Sequence, residues 1–127
     1  MRHLLFATAA AFVILPAAAF ADAHSEIVVA EQHAGLGAAA GDIATVHAHL
    51  HHTLNCLVGA GGQGYDAGQM NPCANSGKGA IPDASDAHKK SALEAAAART
   101  REGIASGDLA ASQHAASDTA AMLKKAE

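Results

Sequence analysis

Four of the chain's nine histidines lie between positions 47 and 52, at His47, His49, His51 and His52, and Cys56 follows one turn later. Imidazole nitrogens and thiolates are the side-chain ligands of late transition metals, so this stretch is where metal chemistry would sit. On a helix turning about 100° per residue, Ile43, Val46, Leu50, Leu54 and Leu57 fall on one face. His47 lies within that apolar stripe and His51 at its edge, one turn on. His49, His52 and Cys56 share the opposite side. One helix therefore carries two candidate ligand sets, one near a core and one facing water.

A second helix must supply the remaining ligands. In a hairpin that turns near residues 39–41, Glu31 comes level with His51 and Ala34 with His47. A carboxylate on the inner side of a helix is costly unless paired. Glu31, His47 and His51 thus form a candidate nitrogen–oxygen metal site, and without metal they would form a carboxylate–imidazolium pair. The outer set is His49 and His52 with His33 across the hairpin. Imidazoles of this kind favour Cu(II) over Ni(II) and Zn(II); without metal they are a solvated polar face. His88 and His114 stand alone and read as surface residues.

Residues 1–21 have the form of a secretory signal. Arg2 and His3 open it, Leu4 to Leu15 is an apolar run too short to span a bilayer, and Ala19-Phe20-Ala21 is a small-x-small cleavage site. The pattern is bacterial in style and predicts the periplasm. Cleavage after Ala21 would leave Asp22-Ala23-His24 at the start. A free amine, two backbone amides and a third-position imidazole make a square-planar set suited to Cu(II) or Ni(II), and the tripeptide resembles the amino-terminal copper and nickel motif. Cleavage after Ala23 would leave only an amine–imidazole pair on His24.

The mature part, residues 22–127, is about 105 residues, one small domain with no further apolar run of membrane-spanning length. Alanine makes up about a quarter of the chain, there is no Trp and only one Tyr, so the core must be thin and helical. The net charge of −4 with no basic stripe argues against nucleic acid as a partner. Cys56 and Cys73 in an exported chain predict a disulfide, with Cys56 as a thiolate ligand beside His52 the alternative. No Cys-x-x-Cys-His is present, which excludes covalent c-type haem.

Ser25 reads as the cap of a first helix from Glu26 to about Ala40, with Ile27, Ala30, Ala34 and Ala38 inward. Gly41-Asp42 is a stop followed by a cap, and the second helix runs to Val58. Residues 59–85, rich in Gly, Asn, Asp and Pro, predict a long loop tied back by Cys73, with Tyr65 and Ile81 as small anchors. Asp86 caps a third helix to about Ser106, with Leu93, Ala97, Thr100 and Ile104 inward. Gly107-Asp108 repeats the stop and cap, and a fourth helix runs to about Lys125 with Leu109, Ala116, Ala120 and Leu123 inward. A shift of 66 residues lays Gly41-Asp42 on Gly107-Asp108, Ile43 on Leu109, Leu57 on Leu123 and Ile27 on Leu93. The expected fold is all-α, an antiparallel four-helix bundle made of two helical hairpins joined by a Gly-rich, disulfide-tethered loop.

Glu31-Gln32-His33-Ala34, Gly41-Asp42, the His47–His52 cluster, and Gly107-Asp108 with Gln113-His114-Ala115 together resemble the small metal-binding protein family. That resemblance covers nearly all of the mature chain. It implies an exported, Ala- and His-rich four-helix bundle that binds copper and other divalent ions. This chain departs from the pattern in the histidine-poor second hairpin and the stapled loop, which points to fewer bound ions. The expected function is periplasmic binding of copper, or of nickel or zinc, without turnover. The alternative is a metal-free stapled helical module that meets a protein partner. The lack of aromatics argues against buried haem. The absence of HExxH, a nucleophile elbow or a second carboxylate facing Glu31 argues against a hydrolase.

Overall fold

The computed structural model describes residues 23–127. The expected signal segment, residues 1–21, and Asp22 lie outside the described residues. Five helices follow in order: α1 Ala23–Ala39, α2 Ile43–Val58, α3 Ala80–Asp83, α4 Ala87–Ala105 and α5 Leu109–Ala126, with no strand among the described residues. Three of the four long helices start on an aspartate whose carboxylate accepts from a backbone N–H three residues on: Asp42 from Thr45 at 2.9 Å, Asp86 from Lys89 at 2.8 Å and Asp108 from Ala111 at 2.7 Å. Each cap satisfies a donor that the first helical turn leaves without a partner.

The long helices pack in a ring of neighbours. α1 lies on α2 and α5, and α4 lies on α2 and α5, while the backbones of α1 and α4 do not approach each other. The apolar stripes meet at the centre. Ile27, Leu50, Leu57, Leu93 and Leu123 are fully buried, with Ala30, Ala34, Ala96, Ala97 and Ala116 filling between them. Each fully buried Leu or Ile side chain contributes roughly 1.5–3 kcal/mol. The alanines let helices approach closely but add little. Ile43, Ile104 and Leu109, expected inward, are only partly buried, because they sit near the helix ends.

Two boundaries differ from expectation. α1 is already helical at Ala23, the first described residue, so Ser25 lies within the helix instead of capping it. Glu26 is fully buried, and its Oε1 accepts the Gly79 N–H at 2.9 Å. This bond ties the loop to the first turn of α1. The 59–85 loop also contains a single helical turn, α3, which the Gly- and Pro-rich composition did not suggest.

That loop is held against the bundle at several points. The Cys56–Cys73 disulfide forms. Asn55, fully buried beside it, acts in both directions: its Oδ1 accepts the Asp66 N–H at 2.9 Å, and its Nδ2 donates to the carbonyls of Asp66 at 2.9 Å and Met70 at 3.2 Å. Tyr65 and Ile81 pack on the core, as the sequence implies. Gly59 and Gly79 cross backbone to backbone at positive φ, 68° and 118°, and a Cβ on Gly59 would fall 1.7 Å from the Lys78 carbonyl oxygen. Only glycine fits this crossing.

Candidate metal centre

His33, His49 and His52 converge. Each offers one ring nitrogen, and the three nitrogens lie within 4.8 Å of one another. His49 and His52 come from one face of α2 at i, i+3 spacing, which makes them neighbours. His33 reaches them from α1. Two contacts hold the helices at that separation. On one side of His33, the Thr53 hydroxyl, which bonds the His49 carbonyl of its own helix at 3.0 Å, sits 3.3 Å from the Ala30 carbonyl oxygen. On the other, Gly37 is buried against α2, where a Cβ would stand 3.4 Å from the His49 Cβ and 3.5 Å from the Val46 carbonyl oxygen.

The three rings form a triangle. Centroid distances are 5.5 Å for His33–His49, 5.2 Å for His33–His52 and 5.7 Å for His49–His52, and His52 stands edge-on to both others. One hydrogen bond links the set, between His33 Nδ1 and His49 Nδ1 at 3.3 Å. His52 Nδ1 is buried and has no hydrogen-bond partner. All three residues are partly buried, so the cluster stays in reach of solvent.

The surroundings of His33 and His52 favour the neutral ring. Burial, then the neighbouring His52 and His49, lower the His33 pKa. Burial, then His49 and His51, lower that of His52. A neutral imidazole keeps the lone pair that binds a metal, so proton competition at these two residues is weaker than at an ordinary histidine. The His33–His49–His52 cluster can hold a metal ion. Metal–nitrogen bonds of about 2.0–2.1 Å would require the ligand nitrogens to draw together. Three protein ligands leave a coordination position for water or another donor.

The candidate inner set does not come together. His47 Nε2–H donates to the Ser106 carbonyl at 3.0 Å, with Ser112 Oγ at 3.4 Å. A carbonyl only accepts, so this nitrogen carries its proton and ties α2 to the α4–α5 connection. His51 Nδ1 lies 3.6 Å from Asp66 Oδ2 on the loop. Glu31 turns toward the end of α5. Its pKa is raised by burial and by a hydrogen bond shared with Glu127, with Lys124 opposing. The hairpin register sets Glu31 level with His51, but α1 packs on both α2 and α5, and the phase of α1 points Glu31 at α5.

His24 stands exposed in the first turn of α1, and Asp22 lies outside the described residues. A chelate through the Ala23 and His24 amides would require that turn to unwind. Cys56 is bonded to Cys73 and is not available as a thiolate ligand. His88 and His114 are exposed, and His114 Nε2 lies 3.5 Å from Asp118 Oδ2. Sequence reasoning missed Asn55 and Glu26, the two buried polar groups that fix the loop. An Asn directly before a bridged Cys was the available signal for the first.

The described helices include none long and apolar enough to cross a membrane. The chain matches no protein-family model, no curated protein and no solved structure.

Proposed function

We propose that this chain is an exported binder of a late divalent transition metal, copper before nickel or zinc, that works without catalytic turnover. The convergence of His33, His49 and His52 from two helices carries the reading. Three imidazoles with no carboxylate and no thiolate suit copper and zinc better than magnesium or calcium, which take oxygen donors. The Irving–Williams order then puts copper first. The four long helices are read as an antiparallel four-helix bundle of two hairpins, in keeping with the small metal-binding protein family. The signal-like residues 1–21 and the disulfide support the periplasm as the working compartment.

In this account His33, His49 and His52 are the ligands and Gly37 and Thr53 set their spacing. His47 and His51 hold neighbouring parts of the fold, and Glu31 is not a ligand. The role is buffering or carriage of the ion. Titration calorimetry with Cu(II) and Zn(II) tests it. One ion should bind per chain, copper tighter, and His49→Ala should remove the binding. A chain that takes up neither metal would refute the proposal and leave a metal-free stapled module.

A further inference from the structure

A cleft of about 930 Å3 lies between the end of α2, the 59–85 loop and α4. No histidine lines it, so it is distinct from the metal centre. Its apolar surface comes from the buried Val58 and Ala97 and from Tyr65 and Ile81. Its charged lining is Lys78, Lys90 and Arg101 against the single carboxylate of Glu94. In a chain of net charge −4 this is a local reversal of sign.

The cations are available. The ammonium groups of Lys78 and Lys90 take part in no ion pair among the described residues. Arg101 Nη2 donates to the Gln63 carbonyl at 2.9 Å, which uses one of the five guanidinium N–H groups. The walls are fixed by the Cys56–Cys73 bond, the two-way Asn55 clamp and the Gly59–Gly79 crossing. A preformed, largely apolar cleft with a few charged groups at its edge is the usual form of a small-molecule site. Fixed walls also lower the ordering cost of binding.

We propose that this cleft binds a small organic anion, a carboxylate, sulfonate or phosphate head on an apolar body. The head lies among Lys78, Lys90 and Arg101, and the body lies over Val58, Tyr65 and Ile81. The site is independent of the metal centre and stands whether or not the histidines bind copper.

The test uses the metal-free chain and the fluorescent anion 8-anilinonaphthalene-1-sulfonate, beside its uncharged parent N-phenyl-1-naphthylamine. The sulfonate should bind saturably, one per chain, and the uncharged parent about tenfold more weakly. Lys78→Gln/Lys90→Gln should weaken the sulfonate by about tenfold while circular dichroism stays unchanged. Ile81→Trp, which fills the cleft, should abolish binding, and His33→Ala/His49→Ala/His52→Ala should leave it intact. Octanoate should displace the probe, and inorganic phosphate at the same concentration should not. Absence of saturable binding, equal binding of the uncharged parent, or undiminished binding by the folded Lys78→Gln/Lys90→Gln variant would overturn the proposal. Displacement by phosphate as effective as by octanoate would overturn the apolar-body part of it.

Discussion

The two helical hairpins place different chemistry at one position. The 66-residue shift carries His33 onto Arg99 and His52 onto Asp118. In the α4–α5 hairpin, Arg99 and Asp118 meet as an ion pair, with Nη2–Oδ2 at 2.8 Å and Nε–Oδ2 at 3.0 Å. Glu102 adds a second carboxylate 2.6 Å from Arg99 Nη1. In the α1–α2 hairpin the same place holds imidazoles and no opposite charge. The surrounding frame is shared. Gly37 corresponds to Gly103, Thr53 to Thr119 and Leu57 to Leu123, and all six are buried. Even the contacts across the hairpins correspond: His47 donates to Ser106 O at 3.0 Å, and Gln113 donates to Ala40 O at 2.7 Å. The second hairpin satisfies its own polar groups. The first gathers three imidazoles with one hydrogen bond among them, between His33 and His49, and leaves the buried His52 Nδ1 without a partner, an arrangement that a cation could complete.

The contrast can be broken most sharply at the ligands. His33→Ala/His49→Ala/His52→Ala should lose bound copper. At a free metal concentration one hundred times Kd, it should also lose the whole of the roughly 2.7 kcal/mol that binding adds to the native state. Thermal melts with and without copper measure this. Glu31→Gln and His51→Ala should leave retention unchanged.

The staple is the next difference. Cys56 and Asn55 correspond to Met122 and Ala121, so the disulfide and the buried amide clamp on the loop belong to the first hairpin. Removing the bridge with Cys56→Ser/Cys73→Ser should cost about 3 kcal/mol in urea unfolding. Asn55→Ala, which removes the acceptor of the partly buried Asp66 N–H and a donor to the loop carbonyls, should cost about 2 kcal/mol.

Exchanging the chemistry sharpens the comparison. His33→Arg/His52→Asp should give a metal-free hairpin whose stability stays within about 1 kcal/mol of the parent, because a partly exposed ion pair contributes little. Arg99→His/Ala115→His/Asp118→His should create a second copper site, read as a second equivalent bound.

The smallest expected effect is on pH. The pKa values of His33 and His52 are lowered in the fold, so on acidification the unfolded chain takes up protons there first. Stability of the metal-free chain is full above the ordinary histidine range near about 6.5 and falls as the pH drops through it. The loss levels off below the lowered folded-state values. His33→Gln/His52→Gln should flatten that slope in melts taken across the range.

Much of this was legible in the chain. The Asp42, Asp86 and Asp108 caps, the apolar stripes and the Cys56–Cys73 pair read directly, because each depends on local spacing. The outer set of His33, His49 and His52 was legible because all three lie at one level of a single hairpin. The inner set was not. Whether Glu31 faces α2 or α5 depends on how the whole helix is rotated between two neighbours, which hairpin register does not specify. Asn55 and Glu26 were hidden for a related reason. Their partners are backbone groups of a loop whose path no periodicity encodes, and a buried polar side chain looks like a surface one until that path is known.

Native mass spectrometry with Cu(II) at one to four equivalents tests the central claim most directly. It compares the parent chain, His33→Ala/His49→Ala/His52→Ala and His47→Ala/His51→Ala. One copper should be retained within the folded domain by the parent and by the His47/His51 variant, and none by the His33/His49/His52 variant. Retention by the His33/His49/His52 variant, or loss confined to the His47/His51 variant, would contradict that claim.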